Sequence, residues 1–332
     1  MNKSKPIVSV IIPAYNVEKY IERAVEDIKR QTETRWEIII ADDCSTDRTR
    51  EIALRLSKED ERIKVIGTPY QSGGAYVPRK MAISAASADI VAPLDADDSV
   101  GPRYLENLLS GLYENPATDI VYPVMHRMEG EESGEAYYHE SSLYGKILPG
   151  REMLRYTLDG WRIHCNGGVI RRVLYMSVFE MIDERGIEVR SYIDEYLSRL
   201  LIYNARGVMV IPERYDYLDN PASITHSVDI RAFGLLWNNS FLLPFVKSRY
   251  DEDSEERILM ERQNFHTYFD ALKLLDKAEL SKEDRRRVMK KLKDILRVSD
   301  RRILKSCASR KLYYLSYLPG WLLRPILRFK KQ

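Results

Sequence analysis

Three carboxylates, Asp95, Asp97 and Asp98, follow directly on an apolar stretch, Asp89 to Leu94, within the segment Pro93-Leu94-Asp95-Ala96-Asp97-Asp98. The stretch reads as a buried strand, and charge gathered this densely at its end is costly unless a cation balances it. A hard divalent ion such as Mg²⁺ or Mn²⁺ takes oxygen ligands, typically one or two protein carboxylates together with the oxygens of a substrate diphosphate. The pattern is that of a metal-diphosphate site. Its bland alternative is an acidic loop capping a helix that starts near Pro102.

The elements that would position these groups are legible upstream. Ile7 to Ile12 is a near-continuous apolar run ending in Pro13-Ala14-Tyr15-Asn16, and Trp36 to Ala41 is another, ending in Asp42-Asp43-Cys44-Ser45-Thr46-Asp47. Apolar runs without alternation, separated by helical segments, describe strands buried on both faces of a parallel sheet. Helices are expected over 18–30, 46–59, 77–86 and 102–115, and further strands over 63–67, 120–125 and 208–211. In such open sheets ligands bind at the carboxyl ends of the strands. Three strand ends (13–16, 42–47 and 95–98) therefore offer polar groups to one crevice.

The series VSVIIPAYN (8–16), EIIIADDCSTDRT (37–49), GGAYVPRKMAI (73–83) and LDADD (94–98) resembles the family 2 glycosyltransferases. The resemblance continues through IDEYLSRLLIYNA (193–205) and YDYLDNPASIT (215–225), and covers roughly residues 6–230. It implies a GT-A fold: an α/β, Rossmann-like, mostly parallel sheet flanked by helices. It also implies an inverting, metal-dependent transfer of sugar from a UDP-sugar to an acceptor hydroxyl. On this resemblance Pro13, Ala14 and Tyr15 shape the base pocket, and Asp43 accepts the imide N–H of uracil. Arg79 approaches the ribose and phosphates. Asp95 and Ala96 line the donor. Asp97 and Asp95 serve the metal and the ribose or diphosphate, Asp97 being placed on the metal with Asp98 assisting, and the sequence leaves open which of the three contacts the ion directly. Asp194 aligns with the catalytic base, with Glu195 as the alternative one residue along. His226 would complete the metal shell or contact diphosphate. Trp161, His164 and Gly167-Gly168 fall where relatives shape the acceptor side. Two positions depart from the family pattern: Lys80 replaces an asparagine, and Leu218 stands where relatives often have arginine.

The 332 residues, 44% hydrophobic and 31% charged, are ordinary for a soluble globular protein. The polar start, Met1 to Lys5, runs straight into the first strand, so a cytoplasmic protein without a leader is expected. Cys44, Cys165 and Cys307 lack metal-ligand spacing and read as structural. A net charge of +2 conceals an asymmetry: 29 basic against 37 acidic residues over 1–244, and 23 against 13 over 245–332. The expected division is a catalytic domain, 1–244, and a basic helical appendage, 245–332, with helices over 254–275 and 281–297. Residues 129–144 are expected to form an exposed loop.

The last segment, 311–332, interleaves Tyr, Trp and Leu with basic residues and is broken by Pro319, Gly320 and Pro325. It suits lying in an anionic membrane interface better than binding nucleic acid, which is not expected as a partner. The site would thus be peripheral on the inner face of the cell membrane, facing a glycan or lipid-linked acceptor in cell-surface polysaccharide synthesis. Two other functions compete. A sugar-1-phosphate nucleotidyltransferase would want an N-terminal Gly-rich, basic signature that this chain lacks. A catalytically inactive nucleotide-sugar-binding scaffold of a glycan assembly complex would have no use for the full set Asp95, Asp97 and Asp194.

Overall fold

The computed structural model describes residues 5–129, 132–137, 139–163, 167–184, 193–218, 220, 229–300, 302, 303 and 305. Ten strands form one sheet: β1 Val8–Ala14, β2 Trp36–Asp42, β3 Ile63–Gly67, β4 Ile90–Pro93, β5 Ser99–Val100, β6 Ile120–Glu129, β7 Glu132–Tyr137, β8 Ile147–Leu148, β9 Val169–Arg171 and β10 Val208–Leu218. Their order is β3-β2-β1-β4-β9-β6-β10-β5, with β7 added on β6 and β8 on β10.

The apolar runs explain the centre of this order. All seven residues of β2 are buried, and β1 is buried at every position but Pro13. Each fully buried Val or Ile side chain contributes about 1.5–3 kcal/mol relative to exposure. Registers Ile12↔Ile40, Ile40↔Val65 and Ile11↔Pro93 run parallel, so the carboxyl ends of β1 to β4 reach the same edge. Strand β9 is antiparallel to both β4 and β6, which makes the sheet mixed while leaving it mostly parallel, as expected.

Flanking the sheet are helices α1 Ile21–Lys29, α2 Thr49–Glu59, α3 Tyr76–Ala85, α4 Tyr104–Tyr113, α5 Gly150–Met153, α6 Arg172–Glu184 and α7 Ile193–Asn204. Helix α3 tolerates Pro78 because it lies in the first turn, where the missing N–H has no intrahelical partner. The stretch 129–144, expected as a loop, is in part a hairpin strand. Strand β6 outruns the core, and β7 pairs with its protruding end at Met125↔Tyr137 and His126↔Ala136. An acidic, Gly- and Ser-containing sequence conceals that pairing from a reading based on apolar alternation.

Two compact units divide the chain: 1–156 with 161–220, and 157–160 with 221–332. The boundary expected after Pro244 is corrected by this division, because Pro244 lies inside helix α8 Gly234–Lys247. The second unit contains α8, α9 Glu255–Leu274 and α10 Lys282–Val298 around a core that includes Phe233, Leu236, Phe265, Phe269, Val288, Leu292 and Ile295. Phe265 and Phe269 meet edge to face at 4.9 Å. Ser254 and Ser281 cap α9 and α10 by accepting the N–H groups of Arg257 and Asp284. Within the same unit, Asp159 binds Arg262 and His266, each at 2.9 Å, and its N–H donates to Gln263. No described helix is long and apolar enough to cross a membrane. The aromatic and basic tail, 311–332, lies outside the described residues.

Candidate functional site at the carboxyl edge of the sheet

Pro13 and Ala14 close β1, and the next residue, Tyr15, is 41% exposed, so its ring faces outward at the strand end and is not core packing. Asn16 follows with φ 52°, and its side-chain oxygen accepts the Thr46 N–H at 2.8 Å, tying the β1 and β2 ends together.

Asp43, just past β2, is buried. It does not cap α2; Asp47 accepts the Thr49 N–H there at 2.9 Å. Instead Asp43 accepts from the Thr68 hydroxyl at 2.8 Å and from the N–H and hydroxyl of Ser72 at 3.0 and 2.9 Å. Its carboxylate therefore fixes the loop between β3 and α3. That loop contains Gly73 at φ 79°, a conformation glycine adopts without steric cost, and the Ser72 hydroxyl donates to the Gly74 carbonyl. Gly73-Gly74 thus bends the chain into α3.

The segment after β4 folds back on itself, the Asp98 N–H donating to the Asp95 carbonyl at 3.1 Å. Its three carboxylates have three different environments. Asp98 is 1% exposed, with one oxygen accepting the Tyr215 hydroxyl at 2.6 Å and the other the Leu218 N–H at 3.1 Å. Burial, aided by the Asp95 and Asp97 charges, pushes its pKa well above the usual carboxylate range. Asp98, expected to assist the metal, is corrected to an internal anchor, since both of its oxygens are taken up by β10. Asp97 accepts from the Asn220 amide at 3.0 Å, and its backbone carbonyl accepts from Arg23. Ala96 between them is buried.

Asp95 leads to the centre of the site. Arg79 of α3, 5% exposed, donates to Asp95 at 3.3 Å and to Asp194 at 2.6 Å. Two carboxylates far apart in sequence, one on the β4 loop and one in the first turn of α7, thus share one guanidinium. Burial works against the arginine charge, but the Asp194 and Asp95 carboxylates outweigh it and hold the Arg79 pKa above its ordinary value. Burial raises the Asp95 pKa; Arg79 opposes that rise, and Asp97 and Asp194 add to it. Both carboxyl groups keep about a third of their surface exposed, at 31% and 32%.

The neighbouring candidate, Glu195, turns elsewhere. It pairs with Arg199 at 2.8 Å, and the buried Arg199 guanidinium stacks 4.1 Å from the Trp161 ring centroid. Trp161 therefore packs under α7. Lys80 pairs with Asp183 of α6 at 2.5 Å. Gly167 and Gly168 lie at φ 68° and 75°, and the Gly168 N–H donates to the Tyr104 hydroxyl at 2.8 Å. His164 and His226 lie outside the described residues.

Thr68, Ser72 and Arg23 also hold the site, and no sequence pattern singles them out. Tyr215 and Asn220 fall within the segment 215–225 that carries the resemblance, and the alternation Tyr215-Asp216-Tyr217 on β10 puts positions 215 and 217 on one face.

Among the described residues no group of three or more His, Cys, Asp or Glu could by itself hold a metal ion. An ion of the Mg²⁺ or Mn²⁺ kind needs only one or two protein carboxylates when a diphosphate supplies the rest. Asp97, partly exposed, and Asp95, raised in pKa by crowding and burial, fit that demand.

The family model described as "Glycosyl transferase family 2" matches residues 9–178. "Putative teichuronic acid biosynthesis glycosyltransferase TuaG" of Bacillus subtilis is 45% identical over 114 residues, which are 34% of this chain and 45% of that protein. "Glycosyltransferase GlyG" of Streptococcus pneumoniae is 34% identical over 248 residues, 74% of this chain and 80% of that one. Among solved structures, S. aureus TarS 1-349 in complex with UDP-GlcNAc is similar over 97% of this chain and 88% of its own, at TM-score 0.67 and 20% identity. That last likeness is one of fold.

Proposed function

The chain belongs to glycosyl transferase family 2, and from that premise we propose that it is an inverting, metal-dependent enzyme moving a sugar from a UDP-sugar to an acceptor hydroxyl. The acceptor is a glycan or a lipid-linked intermediate of cell-surface polysaccharide synthesis, reached from the cytoplasmic face of the membrane. The names of the Bacillus relative, in teichuronic acid synthesis, and of the TarS complex, with UDP-GlcNAc, support this choice of pathway and donor.

The observation that carries the reading is the shared guanidinium: Arg79 sets Asp194 beside Asp95, which follows the carboxyl end of β4. Direct displacement at the sugar needs one base and a stabilised leaving group. Asp194 is assigned the base, taking the proton of the acceptor hydroxyl on its carboxylate. The commitment of Glu195 to Arg199 supports that choice. Asp43, already fixed by Thr68 and Ser72, presents an acceptor-only carboxylate for the uracil imide N–H, and exposed Tyr15 offers its ring face to the base. Pro13, Ala14 and Ala96 form the walls between them. Asp97 would hold a divalent Mg²⁺ or Mn²⁺, with Asp95 at the ribose or diphosphate and His226 as a second candidate ligand. When bound, that ion would neutralise charge developing on the leaving diphosphate. Arg79 holds the Asp194 carboxylate in place through its 2.6 Å hydrogen bond and can turn toward the donor phosphates.

The test is a panel of nucleotide sugars, with and without Mn²⁺, scored for release of nucleoside diphosphate by the purified chain. UDP release from one donor is expected, lost in Asp97→Ala. Asp194→Asn should keep donor binding and lose roughly 10²–10⁴ in rate. Donor binding with no turnover in the unaltered chain would replace this proposal with the inactive-scaffold reading. Collapse in Glu195→Gln with normal turnover in Asp194→Asn would move the base by one residue.

A further inference from the structure

Helix α10 carries Lys282, Arg286, Lys290 and Lys293 at steps of four, four and three residues, the spacing that puts side chains on one stripe of an α-helix. All four are exposed, while Val288, Leu292 and Ile295 on the opposite side are buried in the second unit's core. The remaining cations of the helix have partners. Arg287 faces Asp284 at 3.8 Å, Arg297 faces Asp294 at 3.7 Å, Arg285 donates to the Leu275 carbonyl and Lys291 to the Ser240 hydroxyl. Among the described residues no carboxylate or other acceptor pairs with the four cations of the stripe.

Like charges four residues apart on a helix repel and destabilise it. Here the repulsion is repeated along a row roughly 16 Å long, with no paired counter-charge among the described residues. A single small anion cannot span such a row; an extended anionic surface can. The same face forms an open groove of about 500 Å³ whose lining includes Arg285 and Met289 beside the stripe. Basic heads around an apolar member suit lipid phosphates seated over hydrocarbon stems, with the lysine and arginine stems lying along the apolar surface. The sequence that follows the helix adds Tyr313, Tyr314, Tyr317, Trp321, Leu322 and Leu323 among further basic residues. A bilayer interface takes up such groups, whereas a wet phosphate polymer does not.

We propose that the α10 stripe is a docking surface for an anionic phospholipid bilayer. The inference deepens the functional reading by naming where the enzyme meets the membrane that carries its acceptor. It rests on that reading only for the acceptor, since lipid binding is measured without any substrate.

The experiment is co-sedimentation of the full chain with vesicles of phosphatidylglycerol mixed in phosphatidylcholine, compared with phosphatidylcholine alone. The variant K282Q/R286Q/K290Q/K293Q keeps helix-forming side chains and removes the stripe. Its partitioning into anionic vesicles at low salt should fall roughly 10²–10³-fold, and the unaltered chain should weaken as salt is raised. A control with the same change in net charge on the first unit, R48Q/R55Q/K58Q/R103Q, should partition nearly as the unaltered chain. The stripe variant should melt no lower than the parent, since it loses only repulsion. If it fails to fold, K290Q/K293Q should still weaken binding at least tenfold. Equal partitioning of stripe variant and parent overturns the proposal, as does indifference of the full chain to phosphatidylglycerol. Binding of the stripe to soluble polyphosphate without binding to vesicles overturns it in favour of a phosphate polymer. UDP-sugar hydrolysis in the same preparations, without lipid, should be unchanged in the stripe variant. Its absence in the parent sinks the functional reading and leaves the docking result standing.

Discussion

Arg79 is the residue on which the Asp95 and Asp194 carboxylates converge, and its burial makes the pairing consequential. Removing one member of a buried charge cluster leaves the others uncompensated, though partial exposure of Asp95 and Asp194 moderates the cost. Arg79→Met is expected to lose about 1–3 kcal/mol in urea unfolding, with Arg79→Lys recovering part of it. An unchanged midpoint in Arg79→Met would mean that the guanidinium holds nothing together. Glu37 makes a second, pH-dependent case at the opposite end of β2. Burial alone would raise its pKa, but Lys64, the Ser87 hydroxyl and N–H and the Ser9 hydroxyl bring it down from 4.5 to about 2. A folded-state value below the unfolded one gives stability that is full above pH 4.5 and is lost as pH falls toward 2. The shift corresponds to about 3 kcal/mol. Glu37→Gln should therefore flatten the acid limb of the stability curve in that window, measured by urea midpoints at successive pH values. A variant curve that parallels the parent's would contradict the assignment.

At the scale of elements, the turn into β9 places Gly167 where any other residue meets obstruction. A Cβ there would lie 2.7 Å from both the Tyr104 hydroxyl and the Tyr215 ring, at φ 68°. Those rings hold Asp98 and the Gly168 N–H, so the strain would pass directly into the β4 loop. Gly167→Ala is expected to destabilise by about 2–4 kcal/mol and to weaken donor binding, by calorimetry, more than Gly73→Ala, where a Cβ meets nothing within 4 Å. Equal effects of the two substitutions would refute the packing argument. The contrast also marks what could be read from the chain alone. Strands β1, β2 and β4 were legible because burial on both faces writes itself as an apolar run, and their polar ends named Asp43, Asp95 and Asp97. The grip of Tyr215 on Asp98 and the bridge from Arg79 to Asp194 were not legible, because no local pattern encodes contacts across more than a hundred residues. Strand β7 escaped for a different reason: it is stabilised by the backbone of β6 and carries no apolar alternation of its own.

On the scale of the whole molecule, each unit has its own apolar core, one beneath the sheet and one among α8, α9 and α10. Calorimetry is expected to resolve two unfolding transitions. UDP with Mn²⁺, whose proposed contacts apart from His226 lie in the first unit, should raise one of them. The gain is about 2.7 kcal/mol at a hundredfold excess over Kd. A single transition that moves as a whole with ligand would contradict the independence of the two cores.

The brief passage of residues 157–160 into the second unit has a consequence for how this chain can be made and cut. The backbone crosses between the units at Thr157, again at Trp161 and finally at Pro221, so one cleavage near 220 leaves them still tied through the earlier crossing. A shortened chain ending there would present Asp159 without Arg262, Gln263 or His266. On the ribosome, Asp159 emerges 107 residues ahead of His266. At ordinary elongation rates that is a wait of roughly 5–20 s, during which β9 and β10 emerge in turn and can complete the sheet.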